Sequence, residues 1–322
     1  MEYVHAVVLG IIQGVAELFP ISSAAHTLLI SYLFGWTLPS LPFVVMLHLG
    51  TFLAVLVYFA RDYTALVKGF FTGFFQGFRK PEQRLALLII LGTIPLALIG
   101  KAFERQFDAL FASPLFAAVF LLVTGFVLYA VERLSRAAKP QALVNDDTLD
   151  PSEARYYFPP SRAAMNPPAE RAEQLSWRNA FLIGLSQIGG LFPGGSRSGF
   201  SIAAGMLAGL SRAEAARFSF LLAGLAIFGA SIFELRRVIH PKAAAAASSG
   251  VVQHGIANVS AAPEATAVIV LGFIVAFGSG LLAIRYFMRY LSDHKLTPFA
   301  IYCWLFGLLM IFVIIARRHA GV

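Results

Sequence analysis

Six uninterrupted apolar runs, near residues 43–60, 85–102, 115–132, 214–233, 267–287 and 298–316, are each about 18 to 22 residues long, the length a helix needs to cross a bilayer. A chain of 322 residues that is 58% hydrophobic and 13% charged, with a mean hydropathy of +0.74, is too apolar for a water-soluble fold. The expectation is an all-α polytopic membrane protein, because hydrocarbon offers no water to backbone polar groups and a helix satisfies its own.

Two further apolar regions, 4–34 and 178–210, are interrupted by Pro20 and Pro193 and by clusters of Ser or Gly, so that neither half spans alone. They read as re-entrant helical hairpins. Broken backbone at membrane depth is tolerated where it is buried in protein or lines a polar cavity, so the two breaks point to a site. The breaks also resemble each other. Gly10, Gln13 and Leu18-Phe19-Pro20 with Ser22-Ser23 recur, one residue shorter, as Gly184, Gln187 and Leu191-Phe192-Pro193 with Gly195-Ser196. Three spans follow each copy, and an odd number forces the second copy into the membrane upside down, an inverted-topology repeat. The expected organisation is one integral membrane domain over 1–322: repeat one at 1–136, an insertion at 137–176, and repeat two at 177–322 with a second insertion at 240–265. Both insertions read as solvated loops.

The net charge of +8 does not indicate nucleic acid, because the basic residues lie mostly in short connections, where they orient helices and meet anionic lipid. Placing the 61–84 connection in the cytoplasm gathers most of them on that side and leaves both termini outside. Cys303 is the only cysteine and lies in an apolar run, which excludes a disulfide framework and a thiolate metal site. The N-terminal stretch lacks the basic start and small-residue cleavage site of a removable signal peptide and reads as mature structure.

Chemistry concentrates at the breaks. Glu17 is the only acid between Glu2 and Asp62, and Arg197 lies in the second break; ionisable groups at that depth mark function. A buried carboxylate needs a compensating cation or metal, and Arg197 is the obvious one, either as a structural ion pair or as part of a site. Ser22, Ser23, Ser196, Ser198 and Ser201 surround the two breaks. Each could merely cap a half-helix; together with freed N–H groups and a guanidinium fork they suit phosphate oxygens. Ser23 is the candidate nucleophile or phosphoryl ligand. His26, three residues on and on the same face, is the candidate acid or base. His48, in MLHLGT, reads as a packing or cavity-lining residue.

The pair QGVAELFPISSAAH and LFPGGSRSGFS resembles the two signatures of the bacterial undecaprenyl-diphosphate phosphatase family, (E/Q)GxxExxPxSSxxH and PGxSRSGxT. ILGTIPLALIGKAFE and the FSFLLAG after SRAEAAR are also similar to that family. The resemblance implies hydrolysis of undecaprenyl diphosphate to undecaprenyl phosphate and inorganic phosphate, which recycles the lipid carrier of peptidoglycan synthesis. It also implies a place in the bacterial cytoplasmic (inner) membrane with the site facing the periplasm, a divalent cation, Mg²⁺ or Ca²⁺, and bacitracin resistance when the protein is abundant. Carried over by position, Glu17 is the motif acid, Ser22 and Ser23 the serine pair, His26 the histidine, and Ser196, Arg197 and Ser198 the core of the second motif. Gln13 stands where some members carry a second Glu, so the metal set reduces to Glu17 with Gln13; Ser201 replaces Thr and keeps a hydroxyl. The partners implied are a prenyl diphosphate lipid and the bilayer; nothing argues for or against a homo-oligomer. The rival reading is a transporter or flippase for prenyl phosphate lipids, which inverted repeats with broken helices also suit.

Overall fold

A computed structural model describes residues 2–103, 106–107, 110–111, 113–135, 175–239 and 265–320. Apart from Leu175, Ser176 and Ala265, the two expected insertions lie outside the described residues. Eleven α-helices are described: α1 (Tyr3–Leu18), α2 (Ser23–Phe34), α3 (Leu41–Tyr58), α4 (Ala60–Gln76), α5 (Pro81–Ala102), α6 (Pro114–Leu134), α7 (Trp177–Ser186), α8 (Arg197–Leu207), α9 (Arg212–Ile239), α10 (Thr266–Asp293) and α11 (Thr297–Ala320). A 3₁₀ turn, Gln187–Leu191, follows α7.

Six of these helices, α3, α5, α6, α9, α10 and α11, are long and apolar enough to cross a membrane, and they coincide with the six expected runs. Their starts are set by polar caps that precede the apolar residues. Ser40 accepts from the Phe43 N–H at 3.4 Å, and Ser113 from the Phe116 N–H at 3.2 Å. Pro42, Pro81 and Pro114 occupy first-turn positions, where no intrahelical N–H is needed. Each interrupted region is a pair of shorter helices, α1 with α2 and α7 with α8, separated at the Pro-containing breaks.

The 61–84 connection differs from the expected loop: most of it is α4. Leu66, Gly69 and Gly73 are buried there, Gly69 against the start of α5 and Gly73 against the Phe78 ring, while Val67, Phe71, Phe74 and Phe75 face outward. Basic residues and glycines at intervals conceal a helix whose inner stripe is small and whose outer stripe is aromatic.

The helices meet through small residues. A Cβ on Gly184 of α7 would overlap the backbone of Gly92 in α5, and one on Gly14 of α1 would lie 2.6 Å from the Gly280 N of α10. Such close approach replaces the missing hydrophobic drive between helices in lipid. Thus α1 and α3 pack on α10, α5 packs on α7 and α9, and α6 packs on α11. Phe218, Phe220 and Phe287 are buried in one core cluster with Leu18 and Ile202, and Phe287 packs on Phe19 of the first break. At one end, Glu132 of α6 accepts both arms of Arg212, at 2.8 and 2.7 Å, and the Leu296 N–H at 2.7 Å. One carboxylate therefore ties together an end each of α6, α9 and α11.

Candidate active site

Pro20 follows the end of α1 and Pro193 the end of the 3₁₀ turn after α7, and neither could donate the hydrogen bond that would continue its helix. The chain then restarts, and the first residue of each new helix is a site candidate: Ser23 opens α2 and Arg197 opens α8. Ser22, the cap between, holds φ at +68°, a left-handed conformation uncommon for a residue with a Cβ. It turns the chain sharply enough to bring Ser23 back over the end of α1. Ser198 donates to the Phe19 carbonyl at 3.2 Å and so joins the second break to the first.

Glu17, in the last turn of α1, is the centre of the arrangement. One carboxylate oxygen, Oε1, accepts from Arg197 Nη2. The other, Oε2, accepts from Ser23 Oγ at 2.5 Å and from Gln13 Nε2 at 3.3 Å. His48 of α3 places Nε2 3.8 Å from the same Oε2. The side chains of Glu17 and Arg197 are 9% and 19% exposed and that of His48 is 33% exposed.

The remaining hydroxyls make their hydrogen bonds elsewhere. Ser22 caps the Ala25 N–H at 3.4 Å, and Ser196 caps the Gly199 N–H at 3.1 Å. Because Ser198 donates to Phe19, the 3.2 Å contact between Ser196 and Ser198 is filled by the Ser196 proton. Ser201 bonds back to the Arg197 carbonyl at 2.8 Å and pairs with Ser219 at 2.6 Å. These serines hold the two breaks in shape; only Ser23 reaches the charged pair.

His26 is also placed apart. Its Nδ1 faces the Ser22 carbonyl at 2.7 Å and must carry the proton, because a carbonyl only accepts. Its Nε2 then accepts from the Tyr302 hydroxyl of α11 at 2.7 Å, and the ring stacks on Phe306. Among the described residues no hydrogen bond joins His26 to Glu17, Ser23 or Arg197. Tyr302 looks like any aromatic in a span and carries no signal in the sequence, whereas His48, a lone imidazole in an apolar run, reads there as a packing or cavity-lining residue that could join the site.

The structure thus brings Gln13, Glu17, Ser23 and Arg197 together, adds His48, and turns His26 toward Tyr302. Six long apolar helices define a multi-pass membrane protein, and its candidate active site is a hydroxyl hydrogen-bonded to a carboxylate that is itself paired with a guanidinium. The chain belongs to the bacitracin resistance protein BacA family, which it matches over residues 6–309. It is 40% identical over 319 residues to an undecaprenyl-diphosphatase of Mycolicibacterium paratuberculosis, covering 95% of each chain. It is also 36% identical over 308 residues to undecaprenyl-diphosphatase 2 of Burkholderia thailandensis, covering 94% of this chain and 93% of that protein.

Proposed function

We propose that this chain hydrolyses undecaprenyl diphosphate to undecaprenyl phosphate and inorganic phosphate, in the bacterial inner membrane and from a site facing the periplasm. The observation that carries the reading is the 2.5 Å contact between Ser23 Oγ and Glu17 Oε2 beside Arg197. That is the relation of a nucleophile, or of the position a water takes, to its base.

An incoming terminal phosphate competes with Glu17 for the Arg197 guanidinium, whose fork suits two phosphate oxygens. As the guanidinium turns to phosphate, Glu17 is freed to take the Ser23 proton. Oγ then attacks the terminal phosphorus, and the bond to the bridging oxygen breaks. Undecaprenyl phosphate departs with the bond's electron pair. Water cleaves the phosphoserine, restoring Ser23 and releasing inorganic phosphate; attack by water held at the Ser23 hydroxyl gives the same products in one step. Charge on the transferred group is stabilised by Arg197 and by the N–H groups that open α2 and α8.

A divalent cation fits this donor set only together with substrate. Among the described residues no three His, Cys, Asp or Glu side chains are grouped as a metal site. Glu17 and the Gln13 amide oxygen would hold the ion, and phosphate oxygens and water would complete its shell; bound there, it would neutralise the diphosphate.

An inverted repeat is supported by the contacts, since the α1–α10 and α3–α10 pairings are matched by α7–α5 and α9–α5 once the repeats are exchanged. A flippase has no need of a hydroxyl set against a carboxylate, which favours hydrolysis over transport alone. The test is phosphate release from undecaprenyl diphosphate by the detergent-purified chain. Wild type releases phosphate and Arg197→Ala is slowed by orders of magnitude at unchanged thermal stability; no release by folded wild type refutes the reading.

A further inference from the structure

The first break is held in place by α11, a helix far from it in the chain. Phe299 meets the Phe19 ring edge-on with centroids 5.3 Å apart, Cys303 Sγ lies 3.9 Å from the Pro20 carbonyl, and the Tyr302 hydroxyl lies 2.7 Å from His26 Nε2. Tyr302 stands apart from its neighbours. It is 42% exposed on the outward side of α11 with Ile301 and Leu305, yet its hydroxyl reaches a ring that is 3% exposed.

That ring leads on to Ser23. Ser22 holds φ at +68°, a backbone state that persists only where its surroundings over-determine it. Its carbonyl accepts from the His26 N–H at 3.3 Å and from His26 Nδ1 at 2.7 Å, so the side chain is the tighter hold. The Ser22 carbonyl and the Ser23 N–H share one rigid peptide plane. The direction of the carbonyl therefore fixes the rotation of Ser23 and the aim of its Oγ at Glu17 Oε2, 2.5 Å away. The His26 ring stacks on Phe306 with centroids 4.8 Å apart and planes 13° apart, a contact that lets it slide in its own plane. The bonds at Nδ1 and Nε2 stop that slide, and the second comes from Tyr302.

We propose that Tyr302 is a positioning residue for the reaction: its hydroxyl anchors the His26 ring, the ring anchors the Ser22 carbonyl, and the carbonyl aims Ser23 at Glu17. The inference rests on the phosphatase reading for the step that Ser23 performs. Tyr302 acts through other groups, so its loss slows turnover and leaves substrate binding intact; misplacement of a reacting group by about 1 Å costs on the order of 10²-fold.

The test measures phosphate release from undecaprenyl diphosphate by the full chain in detergent, as wild type, Tyr302→Phe, His26→Gln and the double variant. Tyr302→Phe lowers kcat by about tenfold to a hundredfold and leaves KM unchanged. In the His26→Gln background the same change costs nothing further, because Tyr302 acts only through the ring. A merely structural hydroxyl would lower the unfolding midpoint and spare kcat. Wild-type kcat in Tyr302→Phe, a loss carried by KM alone, or losses that multiply in the double variant overturns the proposal. Histidine ¹⁵N NMR supplies an arm that needs no turnover. The His26 resonances, identified by their absence in His26→Gln, show a proton on Nδ1, and the Nε2 resonance moves in Tyr302→Phe. An unprotonated Nδ1, or an Nε2 resonance that stays in place when the hydroxyl is removed, overturns the proposal. Wild type that releases no phosphate refutes the phosphatase reading, whereas release undiminished in Tyr302→Phe refutes only the positioning role.

Discussion

Ser23 differs from its neighbours at the breaks in where its proton goes: to a carboxylate, while those of Ser198 and Ser201 go to carbonyls and that of Ser196 to Ser198. On the proposed mechanism, removal of the Ser23 hydroxyl strikes the reaction rather than the fold. Ser23→Ala is expected to lower phosphate release by on the order of 10³-fold or more, with thermal unfolding in detergent unchanged; activity within tenfold of wild type would assign Ser23 to capping alone. Glu17 and Arg197 were legible in the sequence because a lone charge in an apolar run has few explanations, and Ser23 because it sits at the first break. The partnership of His26 with Tyr302 was not, since the two lie far apart in the chain and neither announces the other. The sequence reading placed His26 by helical spacing from Ser23; the actual ring is set by the Ser22 carbonyl and by α11, which spacing within one helix does not reveal.

Caps and breaks account for most of the elements. The spans were legible from hydropathy, and their starts fall a few residues early where Ser40, Pro81 and Ser113 open the helix before the apolar run begins. The α4 helix was missed because its buried stripe is made of glycine as much as of leucine, a pattern hydropathy scores as loop. Between elements, the carboxylate of Glu132 is the most concentrated tie, with three hydrogen bonds from two other helices and their approaches. Glu132→Ala strands Arg212 and the Leu296 N–H together. It is expected to cost about 3 kcal/mol, read as a lowered midpoint in denaturant unfolding, while Glu132→Gln loses less because it can still accept. An unshifted midpoint in Glu132→Ala would mean that water replaces the carboxylate at no cost.

For the whole molecule, the candidate site joins the two breaks, with Glu17 and Ser23 at the first and Arg197 at the second. That convergence was legible from the repeated break, whereas the packing that enforces it, glycine against glycine between α5 and α7, depends on contacts across the chain. Orientation is open to direct test because the only cysteine, Cys303, is buried. With the site facing the periplasm, Lys101→Cys is expected to react with a membrane-impermeant maleimide in intact spheroplasts, and Arg79→Cys only after lysis; the reverse pattern would turn the protein over. The central claim is that one acid and one base from opposite repeats act as a single catalytic unit. A double-mutant cycle in phosphate release from undecaprenyl diphosphate tests it most directly, with wild type, Glu17→Gln, Arg197→Gln and both together. The account predicts that each single change removes nearly all activity and that the double loses little more than either. Two modest losses that simply multiply would contradict it.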